Sequence, residues 1–196
     1  MWVTDGINVT KPMINKVHKL IQASGAKLTL VNVVDQIPSE FLLLSENTPS
    51  QVLKSEVIKS RLALENFAER LRRVGIPVKS KVLIGTEPIE VIRLILKNKH
   101  DLLVKRSSDK GSILNWLGES NNLRLMRKCP CPVLFLKPVE EKTPHIFLAA
   151  INPSPEDSEK DAVNYRILEY TRLLKNYSSK SQIHVVHAGV SIRKQC

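Results

Sequence analysis

The segment HDLLVKRSSDKGSILNWLGESNNLRLMRKCPCPVLFLKP, residues 100–138, decides the fold. It holds two short apolar runs, Leu102 to Val104 and Val133 to Leu136, too brief for helices and suited to buried parallel strands. Between them lie a polar loop and an amphipathic turn of helix. In a doubly wound sheet, the loop leaving the carboxyl end of a strand and leading into a helix is where ligands, phosphates above all, are held. The chemistry of this loop therefore carries the functional reading.

Upstream, the same alternation repeats. A short strand, Trp2 to Thr4, is followed by Asp5 and Gly6, where the chain turns. A helix starts near Thr10 as N-cap, with Pro12 in its first turn, and presents Met13, Ile14, Val17, Leu20 and Ile21 before Gly25 stops it. Lys27 to Val34 is β-rich and apolar, the pattern of an inner parallel strand. Residues Asp35 to Pro49 form a loop carrying the run Phe41 to Leu44, read as a lid, a pairing surface or a buried core segment. A long helix is expected from Ser50 to Val74, with Val52, Ile58, Leu62, Leu71 and Val74 on its apolar stripe and Gly75 as its stop. Val78 to Ile84 alternates polar and apolar residues, as an edge strand with one solvated face does. Thr86, Glu87 and Pro88 start another helix carrying Ile89, Ile92, Leu94, Ile95 and Leu96.

Five strands alternating with helices predict an α/β fold, a doubly wound five-stranded parallel sheet of Rossmann-like form, spanning residues 1–138. Residues 139–144 are polar with a proline at either border and read as a linker. The pattern then restarts over residues 145–188: a strand at Ile146 to Ile151, a helix at Glu159 to Asn176 with Ala162, Tyr165, Leu168 and Leu173 for a buried face, and a strand at Gln182 to Ala188. This is a partial second βαβ unit, and residues 189–196 are a tail. One such unit does not cover both faces of its strands. The expected partners are a second copy of the chain, or the two repeats pairing within one chain.

Composition narrows the function classes. The 196 residues are 42% hydrophobic and 25% charged, enough to build a core. No apolar run approaches the roughly 20 residues needed to cross a bilayer, and the N-terminus lacks the regions of a signal peptide, so a cytoplasmic protein with no membrane partner is expected. The net charge of +11 raises nucleic acid as an alternative partner. The basic residues are dispersed, however. The local clusters Arg70, Arg72, Arg73 and Arg124, Arg127, Lys128 have no interleaved aromatic residues, so solvated helix faces are the expected reading and nucleic acid is not the expected partner.

Cys129 and Cys131 are separated only by Pro130, a poor geometry for pairing with each other. With no second cysteine pair or close histidine they read as reduced, small residues before the last strand, and no metal site is expected. His184 and His187 fall on opposite faces of their predicted strand. No Ser, His and Asp arrangement marks a catalytic site. Lys105 and Arg106, at the end of the fourth strand, are candidate anion binders, the alternative being salt bridges to Asp101 or Asp109.

Five pieces together resemble the universal stress protein family. They are Asp5 at the end of the first strand, GAKLTLVNVVD (Gly25 to Asp35), RRVGIPVKSKVLIGTEPIEVI (Arg72 to Ile92), HDLLVKRS, and CPCPVLFLK (Cys129 to Lys137). The restart after residue 144 is similar to the family's tandem, two-domain type. The resemblance implies a cytoplasmic protein of stress survival, non-enzymatic, that pairs through its final strands. Family members that bind ATP carry Gly-x-x-Gly, nine residues, then Gly followed by Ser or Thr after the fourth strand, because bare backbone amides can approach phosphate. An ungapped comparison puts Arg106, Asp109 and Glu119 at the three glycines, and only Ser120 fits. Gly111 and Gly118 would serve only in a shifted loop. Asp5 and Val33 match positions that contact the nucleoside. The implied nucleotide-binding residues are thus Asp5, Val33 and Ser120 beside a degenerate phosphate motif. No cofactor is expected, with ATP or another adenine nucleotide as the alternative.

Overall fold

A computed structural model describes residues 1–4, 7–36, 48–106, 120–136, 146–153, 158–175 and 181–187. The chain divides into two units, residues 1–15 with 27–139, and residues 16–26 with 140–196. In chain order the first sheet and its helices comprise β1 (Trp2–Val3), α1 (Lys11–Ser24), β2 (Leu28–Val34), α2 (Pro49–Arg73), β3 (Val78–Ile84), α3 (Glu87–Asn98), β4 (Leu103–Arg106), α4 (Ser120–Lys128) and β5 (Val133–Leu136). The five strands pair in the order β3-β2-β1-β4-β5, all parallel. The expected doubly wound sheet is present, with alternating β3 at its edge.

Strand alternation sorts the core into two faces. Val3, Val31 and Leu103 join Val91, Leu94 and Ile95 of α3 and Leu125 of α4 in one cluster, with Val33, Leu83, Cys129, Cys131 and Val133 packed against it. Trp2 and Leu30 point the other way. There the Trp2 ring meets Phe67 of α2 edge to face, centroids 5.4 Å apart. Right-handed crossovers that wind outward in both directions from β1 place the two helix sets on opposite faces.

Local signals explain how α2 is bounded. Thr48 is its extended N-cap, Pro49 stands in the first turn, and Gln51 Oε1 accepts a hydrogen bond from the Thr48 N–H at 3.1 Å, half of a capping box. At the other end Gly75 takes φ +82°. Ile76 N–H reaches Leu71 O and Gly75 N–H reaches Arg72 O, both at 3.0 Å, which closes a Schellman motif. Arg72 then donates to Val78 O and, at 2.6 Å, to Glu65, which also accepts from Ser80 Oγ and so ties helix to edge strand. That serine hydrogen bond, with the arginine, holds the Glu65 carboxyl below its ordinary value.

Three expected buried faces need correction. On α2 the buried stripe is Leu64, Phe67, Ala68 and Leu71, whereas Ile58 is 59% and Leu62 61% exposed and Val74 is also exposed. The helix carries two apolar stripes, and only the one that continues to the Ile76 turn faces the sheet. On α3 the buried residues are Pro88, Val91, Leu94 and Ile95, while Ile89 and Leu96 are exposed. Both exposed residues sit roughly opposite Val91 and Leu94 at 100° per residue.

The second unit contains β6 (Ile146–Ala150), α5 (Ser158–Lys175) and β7 (Gln182–Val186), a βαβ element whose strands pair in parallel from Ile146↔Gln182 to Ala150↔Val186. Asn164 anchors α5 by exchanging two 3.0 Å hydrogen bonds with the backbone of Asn152. Here too the expected helix face shifts. Ala162 is exposed and Tyr165 is 72% exposed, whereas Thr171 is buried and its Oγ1 donates to Ile167 O. Asn164, Ile167 and Thr171 follow helical spacing, and Tyr165 lies outside that stripe. Ile146 and Leu148 of β6 are exposed as well.

His100 follows the left-handed Lys99 at the end of α3, and its N–H bonds Ile95 O at 3.2 Å. Burial holds its imidazole below the ordinary 6.5. The unfolded chain thus takes up a proton that the folded chain refuses, and stability falls as pH drops below about 6.5. Urea denaturation between pH 7.5 and 5 should show a shallower loss in His100→Asn than in the native protein. The α2 correction has its own test. Phe67→Ala should cost about 3–5 kcal/mol, and Ile58→Ala less than about 1 kcal/mol, in the same denaturation experiment.

Candidate functional site

Sheet order reverses at β1. From it the chain winds to β2 and β3 on one side, and β4 and β5 lie on the other. In open α/β sheets the crevice outside the carboxyl ends of the strands at such a reversal is where ligands sit. The register fixes what stands there: Val3 pairs with Val31 on one side and with Lys105 on the other, and Arg106, one residue further, ends β4 opposite Leu136. The β1 and β2 backbones stay bonded to this level, since Thr4 N–H donates to Val31 O at 2.8 Å.

Of the residues singled out in the sequence, Val33 lies in the carboxyl half of β2, half-buried and packed against the α3 and α4 side of the core. Ser120 opens α4, and its side chain falls outside the described residues. Asp5, Asp109, Gly111, Gly118 and Glu119 also lie outside them, as do the Phe41 to Leu44 run and the linker. The structure therefore brings Val33, Lys105 and Arg106 to the carboxyl edge of one sheet.

Both basic residues are engaged by the protein itself. Lys105 Nζ donates to Glu87 Oε1, with side chains 15% and 24% exposed. Glu87 opens α3 behind its N-cap Thr86, where a carboxylate also complements the helix dipole. Arg106 Nη1 donates to the carbonyl of Asn8, in the segment after β1, at 3.0 Å. Lys105 thus presents an ion pair rather than an open ammonium. Glu87 was read from sequence only as a helix start, because its partner is 18 residues away across the whole of α3 and no local pattern announces such a contact. Among the described residues no group of three His, Cys, Asp or Glu side chains could hold a metal ion. His184 is exposed, and His187 Nδ1 lies 3.2 Å from Ile151 O.

At the other, amino end of the sheet, Cys129 and Cys131 are half-buried free cysteines with sulfurs 3.6 Å apart. Sequence spacing alone did not bring them into contact. No helix among the described residues is long and apolar enough to cross a membrane.

This five-stranded order, with its crevice between β1 and β4, defines a doubly wound, Rossmann-like α/β protein. Residues 1–137 match the universal stress protein family, and the chain belongs to it. Its curated relatives include the universal stress protein E homolog of Haemophilus influenzae, 26% identical over 160 residues, covering 81% of this chain and 52% of the relative. Universal stress protein E of Photorhabdus laumondii is 25% identical over 95% of this chain and 60% of its own length. That of Escherichia coli K12 is 23% identical over 91% and 57%. The likeness to the universal stress protein E relatives therefore extends through the second unit, and the chain spans between about half and three fifths of their length. Among solved structures, the universal stress protein UspA from Lactobacillus plantarum aligns with TM-score 0.50 at 15% identity, covering 69% of this chain and 97% of its own. The hypothetical protein MJ0577 aligns with TM-score 0.53 at 17% identity, covering 71% and 97%. At these identities the structures support the fold alone.

The Lys105 to Glu87 pair has a measurable weight. Glu87→Gln strands a largely enclosed ammonium and should destabilise the protein by about 1–3 kcal/mol, between the values of exposed and buried pairs. Adding Lys105→Met to that variant should recover most of the loss. A double-mutant cycle in urea checks both.

Proposed function

We propose that this chain is a cytoplasmic stress-response protein that acts without catalysis, through association and small-ligand recognition, and that it lacks a working triphosphate cradle. The observation that carries the reading is chemical. Where ATP-binding relatives need three glycines, this chain has Arg106, Asp109 and Glu119. By that resemblance, side chains at these positions would take the space that backbone amides need for phosphate, and two carboxylates would repel a polyanion. Lys105, next to Arg106 in β4, already has Glu87 as its counter-ion, so it offers little uncompensated charge to a phosphate.

What the crevice retains suits an uncharged nucleoside-sized group better than a triphosphate. Val33 supplies apolar surface on β2, and Asp5 stands by resemblance where a ribose or base contact is made. Residues 145–188 act in this reading as a partial second domain. The apolar side chains exposed on β6, Ile146 and Leu148, are the surface through which it associates with a second copy of the chain or with the first repeat.

Titration calorimetry with magnesium ATP tests the cradle directly. No binding heat is expected up to about 1 mM, an affinity no better than about −4 kcal/mol. Micromolar binding that is lost in Ser120→Ala or Asp5→Ala would overturn the reading in favour of a shifted loop built on Gly111 and Gly118.

A further inference from the structure

The cysteines at the amino end of β5 are not used by the reading above, and they form a distinct arrangement. α4 ends where Cys129 N–H bonds Leu125 O at 2.9 Å, and Pro130 then fixes the backbone between the two thiols. The sulfurs are 3.6 Å apart, both half-buried. Both side chains pack against the cluster that contains Leu103 and Leu125. The next residues are held as well, because Leu103 N–H bonds Pro132 O at 3.0 Å and Val133 pairs with Leu103.

We propose that Cys129 and Cys131 form a peroxide-oxidised dithiol switch, with Cys129 as the attacking sulfur and Cys131 as the resolving one. The sulfurs already lie 3.6 Å apart, and side-chain rotation has to bring them to about 2.05 Å. The roles follow from the hydrogen bond between them. The contact with Cys131 lowers the Cys129 thiol to about 7, which favours it as the sulfur that ionises. The same bond and burial push Cys131 up, which keeps its proton in place until the second step.

The chemistry balances with a hydroperoxide as oxidant. The Cys129 thiolate attacks one peroxide oxygen and the O–O bond breaks. The departing hydroxide takes a proton from solvent and leaves as water, and Cys129 becomes a sulfenic acid. The Cys131 sulfur then attacks the Cys129 sulfur. The S–O bond breaks, and the hydroxyl leaves as water with the Cys131 proton. Two thiols lose two electrons, and the peroxide is reduced to two waters. The small ring closed across Pro130 is constrained, which favours ready reduction and hence reversibility. A metal is the weaker occupant, since two sulfurs alone leave a tetrahedral ion incomplete and no third ligand joins them among the described residues.

The test uses the full chain carrying Cys196→Ser, reduced, exposed to micromolar hydrogen peroxide, quenched with iodoacetamide and digested with trypsin. The peptide containing both cysteines should become about 2 Da lighter and resist alkylation, and dithiothreitol should restore it. Cys131→Ser should stop at a sulfenic acid that dimedone captures. Cys129→Ser should react at least about 10-fold more slowly than its parent. Full alkylation of both cysteines after peroxide treatment would overturn the proposal. So would a disulfide found only between two chains, or a Cys129→Ser protein that oxidises at the parent rate. The peptide measurement on the parent needs no cysteine change at the pair, so it stands even if either variant fails to fold.

Discussion

The sheet depends on two residues. Trp2 and Val3 are the whole of β1, yet they occupy its centre and pair with β2 and β4 at once. Such a short strand holds because its flanking backbone continues both ladders: Val104 N–H donates to Met1 O and Thr4 N–H to Val31 O, each at 2.8 Å. A central parallel strand is covered on both faces, so each side chain must be apolar. Trp2, fully buried, meets Phe67 on the α2 side, and Val3 joins the α3 and α4 cluster. Losing either contact would uncover one face of the strand that sets the crevice.

The same constraint governs the charges at the crevice. The chain carries a net +11, but the basic residues best placed at the carboxyl ends are committed to internal partners, Lys105 to Glu87 and Arg106 to the Asn8 carbonyl. At the sheet edge Arg72 is committed in turn to Val78 O and Glu65. A high net charge in this protein therefore does not imply an uncompensated cationic surface where a polyanion would have to bind. These contacts have a structural role, joining α3 to β4, the β1 exit to β4, and α2 to β3.

Strand positions and element limits were legible in the sequence because short β-rich runs, caps and glycine stops are local signals. Thr86, Gly25 and Gly75 bound their helices as such residues do. Helix faces were less legible. α2 offers Ile58 and Leu62 as readily as Leu64 and Phe67, and periodicity does not say which of two apolar stripes meets a sheet. On α5 the ring of Tyr165 looks like core material, yet a polar Thr171 is what lies inside, its hydroxyl satisfied by the turn before it. The candidate site was half legible: residue types at the family positions could be read directly, whereas the ion pair of Lys105 arises only from tertiary placement and the contact of the two sulfurs depends on local backbone and side-chain rotation.

Parallel strands give the sheet two chemically different ends, and the chain uses both. Every strand enters at one end, where Cys129 and Cys131 stand before β5, and leaves at the other, where Lys105 and Arg106 finish β4. The four paired residues of β4 and β5 span about 10 Å from first to last at the usual rise. β4 and β5 are in register along that whole length, Leu103↔Val133 beside the cysteines and Arg106↔Leu136 beside the crevice. Close-packed interiors transmit displacement rather than absorb it. An influence of the thiol end on the ligand end has several packed routes: along these two strands, through α3, whose Val91, Leu94 and Ile95 share the cysteines' cluster and whose Glu87 holds Lys105, and through β1, where Val3 pairs with Lys105.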